Sequence, residues 1–183
     1  DVSAMNKYKY WLKIALFEMI LIIFDQITKY WAAISLKGKN EFNIIKDVLC
    51  FHYLDGGNTG AAWGMLSGKT FLFVIFTLVA IAFIVKIMSN IFRLMRSDKS
   101  TKLVALNYVF ATLMAGAVGN LIDRVLHQYV IDFIYFKLIN FPIFNVADIY
   151  VTVSCFIIIV MCAFIISEDD FNNIISLKRN DSR

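Results

Sequence analysis

Residues 103–122 read LVALNYVFATLMAGAVGNLI, twenty positions without a charged side chain. A helix rises 1.5 Å per residue, so twenty residues cover the roughly 30 Å of a bilayer's hydrocarbon core. Working outward, three other apolar runs of similar length flank this one, at about 11–36, 70–89 and 147–166. The first contains Glu18, Asp25 and Lys29. The second ends near Lys86, whose long stem can snorkel to the interface, and the last is uncharged after Asp148. The pattern predicts an all-α membrane protein of four transmembrane helices. Within 103–122, Ala111, Ala115, Gly116 and Gly119 lie on one helix face, and small residues let helices pack closely in lipid.

Composition supports this reading. Hydrophobic residues make up 60% of the 183, against roughly 45–50% in soluble domains, and a single proline argues against a linker-rich chain. One membrane domain over 5–183 is expected; Asp1 to Ala4 precede Met5 and read as an expression scar. The first apolar run carries charges and lacks a small-residue cleavage site, so it reads as a retained span. The net charge is +4, yet the basic residues flank apolar runs without forming a stripe, which excludes a nucleic-acid reading. Cys155 and Cys162 read as buried filler, Cys50 stands alone, and neither His52 nor His127 has ligand-like spacing around it. No metal site or cofactor is expected.

Orientation follows from lysine and arginine, which are enriched on cytoplasmic flanks. Lys7, Lys9 and Lys13, the 90–102 connection with Lys86 at its edge, and the 167–183 tail together hold 11; the connections 37–69 and 123–146 hold six. Both termini are therefore expected in the cytoplasm, with 90–102 a cytoplasmic loop, 167–183 a cytoplasmic tail, and 37–69 and 123–146 outside. The first outer connection carries β-formers at 42–45 and 48–54, followed by the turn residues Asp55-Gly56-Gly57-Asn58, so a small sheet on the outer membrane surface is expected. The run 129–136 is apolar apart from Asp132 and suits a short interfacial strand or helix.

Charges at membrane depth are costly, and each needs a reason. Asp25 and Lys29 are spaced i, i+4, where they can neutralise each other or meet substrate. Glu18 has no assigned role. Asn58-Thr59-Gly60-Ala61-Ala62-Trp63-Gly64 suits either a tight turn or a backbone surface that grips an extended peptide. The following Gly64-Met65-Leu66-Ser67-Gly68-Lys69-Thr70 imitates a phosphate loop, but is one residue short between its glycines and precedes a span, so nucleotide binding is rejected. Asp123 beside Arg124 reads as a structural ion pair. Asn120, one turn deeper, can support the helix end or a nearby carboxylate.

Asp132 sits in Val130-Ile131-Asp132-Phe133-Ile134 with no adjacent base, and an unpaired carboxylate in an apolar run is a recurring feature of catalytic acids. Asp148, three residues after Asn145, reads by itself first as an ordinary helix start. Topology puts both on the same outer edge. Two carboxylates sharing one proton can activate water and protonate a carbonyl. No serine, cysteine or metal hydrolase motif competes.

Five segments in order, Asp25-Gln26-x-Thr28-Lys29, Asn58-x-Gly60-Ala61-Ala62-Trp63, Gly119-Asn120-x-x-Asp123-Arg124, Val130-Ile131-Asp132-Phe133 and Phe144-Asn145-x-Ala147-Asp148, are similar to the successive signatures of bacterial lipoprotein signal peptidase (signal peptidase II). The match covers about residues 10 to 166. The resemblance implies a cell-membrane aspartic endopeptidase that hydrolyses prolipoproteins before a diacylglyceryl-modified cysteine. It implies Asp132 and Asp148 as catalytic residues, with Asn58, Gly60, Asn120, Arg124, Asn145, Asp25 and Lys29 binding substrate or supporting. It further implies an extracytoplasmic β-cradle with a short flanking helix. Partners are the lipidated substrate and membrane lipid, and a monomer is expected. The alternative is a small four-span transporter using Asp25, Lys29 and Glu18.

Overall fold

A computed structural model describes residues 7–59, 70–97 and 100–176. Four long helices, α1 (Lys7–Ser35), α2 (Thr70–Ser97), α3 (Thr101–His127) and α4 (Val146–Phe164), pack around α3, which touches the other three. A short α5 (Glu168–Ile175) follows. Strands β1 (Phe42–Ile45), β2 (Leu49–Phe51) and β3 (Ile134–Phe136) form an antiparallel sheet in the order β1-β2-β3.

Among the described residues, α2, α3 and α4 are long and apolar enough to cross a membrane. The outward surfaces of α2 and α4 are unlike those of a soluble protein: Phe71, Phe76, Phe156, Ile159 and Phe164 are each at least 67% exposed. Contiguous exposed apolar area of this kind belongs against lipid. α1 is longer still, at 29 residues, but carries Glu18, Asp25 and Lys29 in its interior. Close packing of α3 on α4 depends on Gly116, where a Cβ would stand 2.6 Å from the Ala147 carbonyl oxygen.

Two apolar clusters hold the ends. At the far end Tyr10 and Ile14 of α1 meet Met88, Ile91 and Met95 of α2, Leu103, Leu106 and Phe110 of α3, and Ile174 of α5. At the sheet end Ala32 and Leu36 pack on Tyr53, Ile131 and Phe133. The sheet is pinned to the bundle by an aromatic run, Trp31 edge-on to Phe51 at 5.2 Å and Phe51 near Phe42 at 6.5 Å.

The expected strands at 42–45 and 48–54 are present, the second shortened to Leu49–Phe51. β1 and β2 pair Phe42 with Phe51 and Ile45 with Leu49 across a bulge, and β2 pairs Cys50 with Tyr135 of β3. The 129–136 run supplies β3, followed by a single 3₁₀ turn at Lys137–Ile139.

Two expectations about loops are corrected. The connection at 90–102 is mostly helix, because α2 continues to Ser97 with Ile87, Met88, Ile91, Phe92 and Met95 turned inward. The region after 166 is partly ordered: Ser167 caps α5, and Asn90 donates to the Ile174 and Ser176 carbonyls at 2.8 and 3.0 Å. The expected expression scar 1–4, Gly60 with Ala61 to Trp63, the false phosphate loop apart from Thr70, and the basic tail residues lie outside the described residues.

Candidate active site

The sheet end gathers side chains from three helices and two extended segments. Asp132 lies midway along an extended segment paired on both sides. Asn58 and Val130 exchange backbone hydrogen bonds, Leu54 N–H donates to the Asp132 carbonyl at 3.0 Å, and Phe133 N–H donates to the Phe144 carbonyl at 3.0 Å. Apolar neighbours Ile131 and Phe133 alternate to the other side and enter the cluster under the sheet. The Asp132 side chain, 1% exposed, points to the bundle. Asn58 Nδ2 donates to its Oδ2 at 2.8 Å and Asn145 Nδ2 to its Oδ1 at 2.6 Å. Among the described residues no cation lies within ion-pairing distance of it. Burial raises its carboxyl to about 7, and the nearby Asp148 adds to the rise, while the two amide donors and the more distant Lys29 pull it down.

Asp148 starts α4 within a reciprocal cap. Its N–H donates to Asn145 Oδ1 at 2.9 Å, and its Oδ2 accepts from Asn145 N–H at 3.1 Å. The helix-start reading of this residue is borne out. It does not exclude a second role, since Oδ1 accepts from Asn120 Nδ2 at 2.8 Å. Asn145 Nδ2 also donates to Asn120 Oδ1 at 3.0 Å. The two aspartates are thus joined by an amide chain, Asp132–Asn145–Asn120–Asp148.

Behind this chain lies an ion cluster. Lys29 is 1% exposed and Asp25 and Asp123 are fully buried; its ammonium stands 2.9 Å from Asp25, 3.1 Å from Asp123 and 3.0 Å from Asn120 Oδ1. The i, i+4 pairing of Asp25 with Lys29 is present. The expected Asp123–Arg124 ion pair is not: consecutive helix residues point about 100° apart, and Asp123 turns inward to Lys29. Arg124 instead lies over the Phe73 ring, 5.4 Å from its centroid, with a long 3.4 Å contact to the Asn120 carbonyl. Gln26, to which the sequence reading gives no role, donates to Asp25 at 3.2 Å and to Asp123 at 3.1 Å. Its place in the Asp25-Gln26-x-Thr28-Lys29 segment was the available signal. Gly119 leaves room for the cluster: a Cβ there would stand 2.5 Å from Asp25 Oδ2.

Glu18 makes no contact with this cluster, and its Oε1 is buried without a partner. Among the described residues no group of three or more His, Cys, Asp or Glu is placed to hold a metal ion.

Fold and cluster define a class: a helical membrane protein with an enclosed carboxylate–amide centre at one end of its bundle. The family model described as "Signal peptidase (SPase) II" matches residues 17–164. The chain is 36% identical over 155 residues to a lipoprotein signal peptidase of Clostridium tetani, covering 83% of this chain and 91% of that one. It is 38% identical over 147 residues to one from Staphylococcus aureus, covering 79% and 84%. A solved bacterial membrane enzyme superposes with a TM-score of 0.67 at 34% identity, over 85% of this chain and 94% of that one. The chain belongs to the signal peptidase II family, and with it to the membrane-bound proteases of lipoprotein processing.

Proposed function

We propose that this chain is an intramembrane aspartic endopeptidase that removes signal peptides from prolipoproteins, cutting before the diacylglyceryl-modified cysteine. In this reading α1 is the fourth span, the termini are cytoplasmic, the sheet is a cradle on the outer face, and the enzyme acts as a monomer. The observation that carries the reading is the pair of aspartates joined through Asn145 and Asn120, one of them enclosed with no counter-ion among the described residues.

The chemistry needs one proton shared by the dyad. Asp132, lifted to about 7, suits the protonated partner at neutral pH. Asp148, in the first turn of α4 where the helix N-terminus favours negative charge, suits the carboxylate. The carboxylate takes a proton from water as its oxygen attacks the scissile carbonyl, and the acid donates its proton to the carbonyl oxygen. Collapse of the tetrahedral diol breaks the C–N bond, and a proton passes to the leaving amine of the lipidated cysteine. Asn58, on the turn before the small-residue segment, bridges the Asp132 carboxylate and the region where an extended substrate would lie. Arg124 sits at the rim, where a backbone carbonyl or lipid headgroup can reach it. The transporter alternative gains no support, because Asp25 and Lys29 are closed on Asp123 and Glu18 does not join them.

The test is purified protein with a diacylglyceryl-modified prolipoprotein, following the new N-terminus. Asp132→Asn and Asp148→Asn are each expected to lower turnover by at least about 10³-fold while the folded protein persists. Wild-type turnover in either variant would overturn the dyad.

A further inference from the structure

The ion cluster reaches the dyad by more than the Asn120 amide. Asp25 Oδ1 accepts the N–H of Ala147, the residue before Asp148, at 2.9 Å. Asp123 Oδ2 accepts the N–H of Ile131, the residue before Asp132, at 3.0 Å. Each dyad aspartate therefore follows a backbone N–H held by a buried carboxylate, and a single ammonium, that of Lys29, bridges the two carboxylates. The same ammonium also donates to Asn120 Oδ1. Asn145 Nδ2 donates to that oxygen as well, so the Asn120 amide has only one orientation open to it, with its NH₂ towards Asp148. Three supports of the dyad converge on one nitrogen atom.

We infer that Lys29 is a positioning residue that sets the separation of Asp132 and Asp148 and the orientation of the amide between them, without touching substrate. The inference rests on the dyad reading above. Its physical basis is that two sets of ties fix how far apart the aspartates stand. Backbone pairing of Phe133 with Phe144 and the Asn145 amide on Asp132 join the Asp132 segment to the start of α4 directly. The Asp25–Lys29–Asp123 bridge adds a separate tie, running between the N–H groups of Ala147 and Ile131. A buried ammonium with three acceptors at about 3 Å has little freedom to move, which is what a spacer requires. Displacement of a reacting group by about 1 Å can cost 10²-fold in rate.

Removing the ammonium alone leaves two buried carboxylates uncompensated, a strongly destabilising change, so Lys29→Met by itself is expected to fold poorly. The informative protein is the double variant Lys29→Met with Asp123→Asn. It preserves the net charge of the cluster, and an asparagine oxygen can still accept the Ile131 N–H. With lipidated prolipoprotein as substrate, the double variant is expected to fold, to keep KM within about twofold, and to lose on the order of 10²-fold in kcat. Wild-type kcat in the folded double variant would overturn the inference. A rise in KM at unchanged kcat would do so too, assigning Lys29 to substrate binding. Failure of the double variant to fold would also overturn it, because the ammonium would then be required by the bundle itself. Asp132→Asn is assayed in parallel: if it retains activity, the dyad reading fails; if it is inactive while the double variant is fully active, only the positioning role fails.

Discussion

At Asp132 burial and hydrogen bonding pull in opposite directions. Removal from water lifts the carboxyl to about 7, and the Asn58 and Asn145 amides, which donate to the ionised form, hold it there and not higher. A dyad that works with one shared proton loses activity as pH rises through the value of its weaker acid. The alkaline limb of kcat/KM is therefore expected near pH 7. Asn58→Ala deletes one donor to the carboxylate, so the proton is held more tightly and the limb moves to higher pH. A pH–rate profile of the two proteins checks this; a limb that stays in place or moves down would separate Asn58 from Asp132. At this scale part of the site was legible. Asp132 stood out because no base neighbours it in an apolar run. Asp123 was misassigned to Arg124 because its true partner, Lys29, is 94 positions away, and local spacing says nothing of contacts at that range.

Among the elements, the α3–α4 contact has the least slack. The face Ala111, Ala115, Gly116, Gly119 is fully inward, and at Gly116 an added Cβ would meet the Ala147 carbonyl at 2.6 Å and Val151 Cγ2 at 2.9 Å. Backbone cannot yield there as a side-chain tip would. Gly116→Val is expected to cost about 1–3 kcal/mol by overpacking, read as a lowered unfolding midpoint in detergent. It should also reduce turnover, since Ala147 immediately precedes Asp148. Unchanged stability would mean that the helices have room to separate. The helices themselves were legible from uninterrupted apolar runs and from small residues four apart. Two features are not legible from local pattern alone. α2 runs on through polar Ser89, Asn90 and Arg93, and only the inward spacing of Ile87, Ile91 and Met95 marks the continuation. α5 is eight residues long and mostly polar, although Ser167 with Asp170 three residues on is a helix-start signature.

For the whole molecule the open matter is α1. Glu18, Asp25 and Lys29 keep it out of the class defined by length and hydropathy, yet two of these charges are matched inside the cluster with Asp123, so the cost of their depth is offset where it would be greatest. Outward, Ile20, Ile23, Ile27 and Ile34 are each at least 50% exposed, as on the lipid faces of α2 and α4. Tyr30 and Trp31 stand near the sheet end, where amphipathic rings favour the membrane interface. A spanning α1 puts its two ends on opposite sides of the bilayer, and in the proposed orientation, drawn from the lysine and arginine bias, the far end is expected inside. Single cysteines at three exposed positions test both points with a membrane-impermeant maleimide on spheroplasts. Lys39→Cys, just beyond α1, is expected to label in intact cells. Tyr8→Cys at the start of α1 and Glu168→Cys at the start of α5 should label only after permeabilisation. The native thiols serve as background: Cys50 is buried in the sheet, whereas Cys155 and Cys162, expected as buried filler, are exposed and half-buried on α4, whose apolar surface a polar maleimide does not reach. Labelling of Tyr8→Cys and Lys39→Cys from the same side would show that α1 does not cross. The reverse pattern at all three positions would turn the site to the cytoplasm, where a signal peptide already carried across the membrane could not reach it.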